Sequence, residues 1–227
     1  MTLTDEIRSF TDDAYARLPA GYIQTFRTLI DSLAEQRLGV RAPCAGDAFP
    51  DFELANHDGN VVRASTLWTD SNLVIKFYRG GWCPYCNLEL AAFQKFLPRL
   101  ESVNAQVVSI APEKPQFQTG TRAAANAHFQ FLWDADNELA ASLGIAFPVS
   151  DAVRAVYGRL GLDLEVVNGS WFLPVPATFV VRNGIVRYRH VDPDYMKRED
   201  PLVLLSILEE IEEGLKGADA QVPGGAR

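Results

Sequence analysis

Three cysteines, three histidines and two methionines are all this 227-residue chain offers in soft or imidazole side chains. So few cysteines exclude a disulfide-built scaffold. The histidines His57, His128 and His190 stand singly, and with Cys44 they supply no second paired motif. A zinc site needs four ligands, or three and an open position, so no metal is expected. Each histidine is read as solvated or hydrogen-bonded.

Clustered basic charge is also missing. The formal net charge is −8, and no Lys/Arg run exists to neutralise phosphates or an anionic lipid surface. Nucleic acid and membrane are therefore not expected partners. No apolar run approaches the length of a membrane span, and the start, Met1-Thr2-Leu3-Thr4-Asp5-Glu6, has no basic region with an apolar stretch behind it. These features predict a cytoplasmic protein. Hydrophobic residues at 48% and charged residues at 22% fit an ordinary globular chain with a substantial core.

What is present alternates between strand and helix patterns. Residues 1–39 read as a helical extension: Leu18, Tyr22, Phe26, Ile30 and Leu33 recur at helical spacing, and Pro19-Ala20-Gly21 divides the segment in two. It serves as a packed cap or as a homodimer contact. Residues 40–216 read as the main domain. Asp51 to Ala55 and Val61-Val62 flank the Asp58-Gly59 turn as a small hairpin. Leu73 to Tyr78 reads as a buried central strand, broken by Arg79-Gly80-Gly81. A helix follows from Pro84, with Pro98 marking its end. Further on come a strand at 107–110, a helix at 115–128, an extended segment at 129–132 and a helix capped by Asn137 and ended by Gly144. A hairpin about Asn183-Gly184 and a last helix opened by Pro201 complete the pattern. Residues 146–175 are too long for a simple connection and form an insertion with structure of their own. The tail 217–227 is expected to be disordered. This order predicts an α/β domain whose mixed sheet is flanked by helices.

The chemistry lies at the strand-to-helix junction, in Cys83-Pro84-Tyr85-Cys86. Cysteines three apart on a helix share a face and can meet the distance limits of a disulfide. A helix amino end favours negative charge, so a cysteine there is partly thiolate, the form that attacks peroxides and disulfides. Pro84 suits the first helical turn because its missing N–H would be unpaired there. Arg79, one short loop away, either stabilises a thiolate or polarises a peroxide oxygen, or is a solvated charge. Glu89 lies one turn beyond Cys86 and is placed to tie the site down or relay a proton. Tyr78 and Trp82 are candidates to bound the pocket. Cys44, in the linker, is a resolving or bridging thiol or simply a free one.

The stretch Gly46 to Leu54, Asp58-Gly59, Leu73 to Glu89, Val107 to Glu113, Phe131 to Asp134 and Ala177 to Val181 resembles the peroxiredoxin family of the alkyl hydroperoxide reductase and thiol-specific antioxidant type. The resemblance implies a thioredoxin-like fold, and it implies a thiol peroxidase that reduces hydrogen peroxide or organic hydroperoxides without a cofactor. A thioredoxin- or glutaredoxin-like reductant would regenerate it. Because Glu89 follows Cys86 by three, Cys86 matches the peroxidatic position, with Cys83 resolving. Two departures stand out. Cys83 occupies the place of the family's threonine, and Pro176-Ala177 replaces an arginine before the late strand. Arg187 and Arg189 are candidates to replace that arginine. Trp82-Cys83 and the tetrapeptide itself resemble thioredoxin and glutaredoxin sites, and Pro176 resembles the cis-proline facing such a pair. Pro84, Pro176 and Thr178 thus join Tyr78 and Trp82 as expected substrate-binding positions. Under the rival reading of a thiol–disulfide oxidoreductase, Cys83 attacks first. A redox-sensing module that turns over slowly is the third alternative.

Overall fold

The computed structural model describes residues 2–219. Two helices come first, α1 (Leu3–Arg17) and α2 (Ala20–Glu35). Thr2 and Asp5 cap α1 reciprocally, side chain to backbone in both directions. Leu18 and Pro19 separate the helices where Pro19-Ala20-Gly21 predicted a break. Within the chain, α1 packs against α4 (Pro84–Ser102) and α2 against α7 (Asp151–Arg159).

The rest of the chain runs β1 (Glu53–Asn56), β2 (Val61–Arg63), α3 (Ser65–Trp68), β3 (Asn72–Phe77), α4 (Pro84–Ser102), β4 (Ala105–Ala111), α5 (Pro115–Ala124) and β5 (Gln130–Trp133). A short 3₁₀ turn leads to α6 (Glu138–Ser142), β6 (Ala146–Pro148), α7 (Asp151–Arg159), α8 (Leu164–Val167) and β7 (Phe172–Pro174). Then follow β8 (Ala177–Arg182), β9 (Ile185–Val191) and α9 (Pro201–Asp219). Seven strands make one mixed sheet in the order β2-β1-β5-β4-β3-β8-β9. β3 is parallel to β4 and antiparallel to β8.

β3 explains the layering. Its alternate residues Leu73, Ile75 and Phe77 enter one core with Trp68, Phe49 and Phe179, under α2 and α7. Val74 and Tyr78 enter the other, with Phe93, Leu97, Leu100 and Leu204 of α4 and α9. A strand buried on both faces must be apolar throughout, so Lys76 within it is an anomaly that needs a partner. The insertion does carry its own structure: β6 and β7 pair antiparallel and α7 and α8 lie between them. Asn183 and Gly184, at φ 52° and 74°, make the tight turn between β8 and β9.

Several expectations need correction. No peptide bond among the described residues is cis, so Pro176 is trans. It precedes a strand inside the sheet, not at its edge. Pro98 lies within α4, which continues to Ser102 because Leu97 and Leu100 are both buried against the sheet. Asn137 opens α6 without capping it; the Asp134 carboxylate accepts from the N–H groups of Leu139 and Ala140 instead, each at 2.9 Å. Helix α9 extends through Gly217 to Asp219, into the expected disordered tail, and the remainder of that tail lies outside the described residues.

Candidate active site

The end of β3 delivers Tyr78 and Arg79 to the sheet edge, Gly80 and Gly81 turn the chain, and Cys83 becomes the residue preceding α4. Pro84 takes the first helical position and Cys86 the third. Gly81 sits against Thr121 so closely that an added Cβ would lie 1.9 Å from its Oγ1. The Glu113 carboxylate, just past β4, accepts from the Gly81 N–H at 2.9 Å, from Thr121 Oγ1 at 3.0 Å and from the Tyr78 hydroxyl at 3.2 Å. Burial pushes its carboxyl up, and these donors pull the other way. From the insertion, Asn168 donates to the Arg79 carbonyl at 3.1 Å and accepts from Trp82 Nε1 at 3.4 Å. The loop before the cysteines is thus fixed from two sides.

Cys83 and Cys86 are both free thiols with 0% exposure. The Arg79 guanidinium donates from Nη2 to Cys83 Sγ at 3.0 Å and from Nη1 to the Tyr157 hydroxyl at 3.4 Å. It lies 4.0 Å over the Tyr195 ring and 5.2 Å over the Trp82 ring. Arg79 is only 3% exposed and has no carboxylate partner among the described residues. A buried cation of that kind requires an anion, and the sulfur at 3.0 Å is the group that supplies it. Arg79 is therefore no solvated surface charge.

Cys86 Sγ receives the Arg79 backbone N–H at 3.4 Å and Arg198 Nη2 at 3.5 Å. Arg198 Nη1 pairs with Glu89, whose other oxygen holds Lys76 Nζ at 2.5 Å. Lys76 also donates to Thr178 Oγ1 at 2.5 Å and lies 4.2 Å over the Phe93 ring. This network answers the anomaly in β3. Burial pushes the Glu89 carboxyl up, but Lys76 and Arg198 outweigh it and hold it below the ordinary range.

The two sulfurs ionise in opposite senses. Burial opposes a charge on Cys83, yet the hydrogen bond from Cys86 and the charges of Arg79 and Arg198 prevail, holding Cys83 well below the usual thiol range. Burial, then the hydrogen bond to Cys83 and the negative charge there, push Cys86 well above it. Arg79, which has no carboxylate partner among the described residues, donates to Cys83 at 3.0 Å, in agreement with that order.

Beside the pair opens a cavity of about 370 Å³ lined by Arg79, Trp82, Pro84, Tyr85, Tyr157 and Tyr195, among others. Of the positions expected to bound the substrate, Trp82 and Pro84 line it. Tyr78, Pro176 and Thr178 do not: Tyr78 supports Glu113 and Thr178 supports Lys76, while Pro176 is buried before β8. Arg187 is exposed, and Arg189 donates to the Gly39 and Ala42 carbonyls of the linker, so neither joins the site. Arg198, from the segment before α9, stands where they were expected. His57, His128 and His190 are engaged with Asp58, Gln94 and Glu199, away from the sulfurs. Cys44, in the linker, donates to the Ala42 carbonyl at 3.8 Å.

Residues 45–189 match the AhpC/TSA family. A Mycobacterium tuberculosis protein named as a putative peroxiredoxin is 29% identical over 100 residues, which is 44% of this chain and 65% of that protein. The chain thus spans slightly under two thirds of that relative. The similarly named bcp of Helicobacter pylori is 31% identical over 119 residues, 52% of this chain and 74% of that protein. Among solved structures, peroxidoxin BcpB from M. tuberculosis superposes with a TM-score of 0.59 at 22% identity, covering 74% of this chain and 98% of its own. Reduced Prx3 in complex with H2O2 from Vibrio vulnificus gives 0.59 at 16%, covering 72% and 97%. These likenesses establish the thioredoxin-like fold.

Proposed function

This chain belongs to the AhpC/TSA family, and from that premise we propose that it is a thiol-dependent peroxidase working through the Cys83–Cys86 pair. The observation that carries the reading is the buried Arg79 guanidinium, unpaired by any carboxylate among the described residues and set 3.0 Å from Cys83 Sγ beside a substrate-sized cavity. It favours a resting thiolate at Cys83 and a proton on Cys86, so the first attack is assigned to Cys83, although the resemblance gives that role to Cys86.

The Cys83 thiolate attacks the terminal peroxide oxygen. The O–O bond breaks, the hydroxyl stays on sulfur as sulfenic acid, and the alkoxide or hydroxide leaves and takes up a proton. Cys86 then forms the S–S bond to that sulfur, and its proton departs with the hydroxyl as water. The two thiols thus give two electrons to the peroxide. A thioredoxin- or glutaredoxin-like dithiol returns them by exchange. Arg79 is positioned to stabilise both the thiolate and the charge developing on the leaving oxygen. Glu89, Lys76, Thr178 and Arg198 hold Cys86 in reach of the first sulfur. Few cysteines used as a working pair favour a reducing, cytoplasmic setting.

Stopped-flow consumption of hydrogen peroxide and cumene hydroperoxide by the reduced protein tests the reading. A second-order rate no faster than that of free cysteine overturns it. The Cys86→Ser variant should still form a sulfenic acid and Cys83→Ser should not; the reverse result moves the first attack to Cys86. Thiol–disulfide exchange is the second reading, favoured by the position of Cys83 immediately before α4. It predicts fast reduction of disulfide substrates with slow peroxide turnover.

A further inference from the structure

The cavity beside the cysteines has walls that the family match does not cover. Six aromatic rings form a continuous belt around it. Phe10 meets Tyr85 edge-on with centroids 5.2 Å apart, and Tyr85 meets Tyr195 at 5.6 Å. Tyr195 meets Phe26 at 6.5 Å, Phe26 meets Tyr157 at 5.8 Å, and Tyr157 meets Trp82 at 5.4 Å. Phe10 on α1, Phe26 on α2 and Tyr195 lie outside residues 45–189. Tyr157 belongs to α7 of the insertion.

 Phe10 of α1 and Phe26 of α2 thus come from the amino-terminal extension, and with Tyr195 half of the belt lies outside the residues the family model matches.

The extension is also anchored where it meets the site. The Leu3 N–H donates to the Asp200 carboxylate at 2.9 Å, and Thr11 Oγ1 donates to the Tyr85 hydroxyl at 3.3 Å. The cavity of about 370 Å³ falls within the range of small-molecule pockets. Neither sulfur lines it, but Arg79, which touches Cys83 Sγ, does, and its Nε has no hydrogen-bond partner among the described residues. Aromatic walls meeting edge to face offer a further ring the offset and T-shaped contacts that rings prefer.

We propose that this chamber binds the ring of an aryl hydroperoxide, and that Phe10 and Phe26 of the amino-terminal helices are specificity-determining residues. The proposal rests on the peroxidase reading for its turnover but not for its binding. Hydrogen peroxide gains nothing from the belt, whereas an aryl hydroperoxide gains ring contacts on its way to Cys83.

Two measurements on the full chain separate the claims. The first is kcat/KM for cumene hydroperoxide relative to tert-butyl hydroperoxide, which lacks the ring. The ratio should be about tenfold in the unaltered protein, fall several-fold in Phe10→Ala and Phe26→Ala, and recover in Phe10→Tyr. The second is calorimetric binding of cumyl alcohol to the reduced protein, which needs no turnover. Binding that weakens in Phe10→Ala supports the chamber even if no hydroperoxide is consumed; that outcome would sink the peroxidase reading alone. Turnover with a ratio near one, together with no binding of cumyl alcohol, overturns the proposal and leaves the peroxidase reading standing.

Discussion

Replacing Arg79 by Gln tests the charge balance on which the site is built. The variant keeps an N–H donor and similar bulk and removes only the cation. With Nη2 at 3.0 Å from Cys83 Sγ, Coulomb's law at an effective dielectric of about 20 gives about 5.5 kcal/mol. That figure corresponds to about four pKa units and is an upper bound, because Arg198 remains nearby and solvent relaxes. Hydrogen bonds to charged groups are worth about 1.5–3 kcal/mol net, or about one to two units. The Cys83 titration should therefore move up by about two units. Ultraviolet thiolate absorbance against pH reads it in a Cys44→Ser/Cys86→Ser background, where one thiol titrates. Arg79→Lys should shift it less, because charge survives while the planar fork is lost. The same variant has a second readout. A stabilised thiolate favours the reduced pair, so Arg79→Gln should lower the reduction potential, by about 60 mV for the about 2.7 kcal/mol in two pKa units. A titration midpoint that stays put or falls, with an unchanged potential, would refute the pairing of Arg79 with Cys83.

Glu89→Gln leaves Lys76 and Arg198 buried with their charges uncompensated, and should cost about 3–5 kcal/mol in urea unfolding. The Glu89 carboxyl is held below its unfolded value, so its contribution is present above about pH 4.3 and lost as pH falls through its folded value. The gap between the two proteins should hold near neutrality and close in acid; a gap independent of pH would contradict this. Asn168→Ala strips the Arg79 carbonyl and Trp82 Nε1 of their partner, and should cost about 1–3 kcal/mol while slowing the peroxide reaction. Gly81→Ala drives a Cβ to 1.9 Å from Thr121 Oγ1, a short buried side chain. It should destabilise by about 1–3 kcal/mol, and pairing it with Thr121→Ala, which removes that Oγ1 and the methyl beside it, should recover part of the packing loss.

The strand-to-helix junction that carries Cys83 and Cys86 was legible because its signals are local. An apolar strand, two glycines, and a proline opening a helix follow one another within residues 73–84, and β3 and α4 lie there. Turn chemistry was equally plain at Asn183-Gly184, where both residues adopt positive φ. Signals went wrong where tertiary contacts override local preference. Pro98 reads as a helix end, but the buried Leu97 and Leu100 carry α4 past it. Asn137 reads as a cap, but the Asp134 carboxylate does that work from three residues earlier.

Arg198 shows why half of a site can be invisible in sequence. It meets Glu89 across 109 positions and Cys86 across 112, and nothing in its local pattern marks it. A charge argument could have found that a partner was missing without naming it. Lys76 stands in a strand otherwise fit only for burial, so it demanded an anion nearby, and Glu89 on the facing helix is one. Glu89 alone cannot balance Lys76, Arg198 and Arg79 together. The surplus positive charge favours a thiolate in the reduced pair. In the proposed cycle, oxidation to the disulfide would remove that anion and leave the cations behind, so the charge arrangement that favours attack would also favour return to the reduced state.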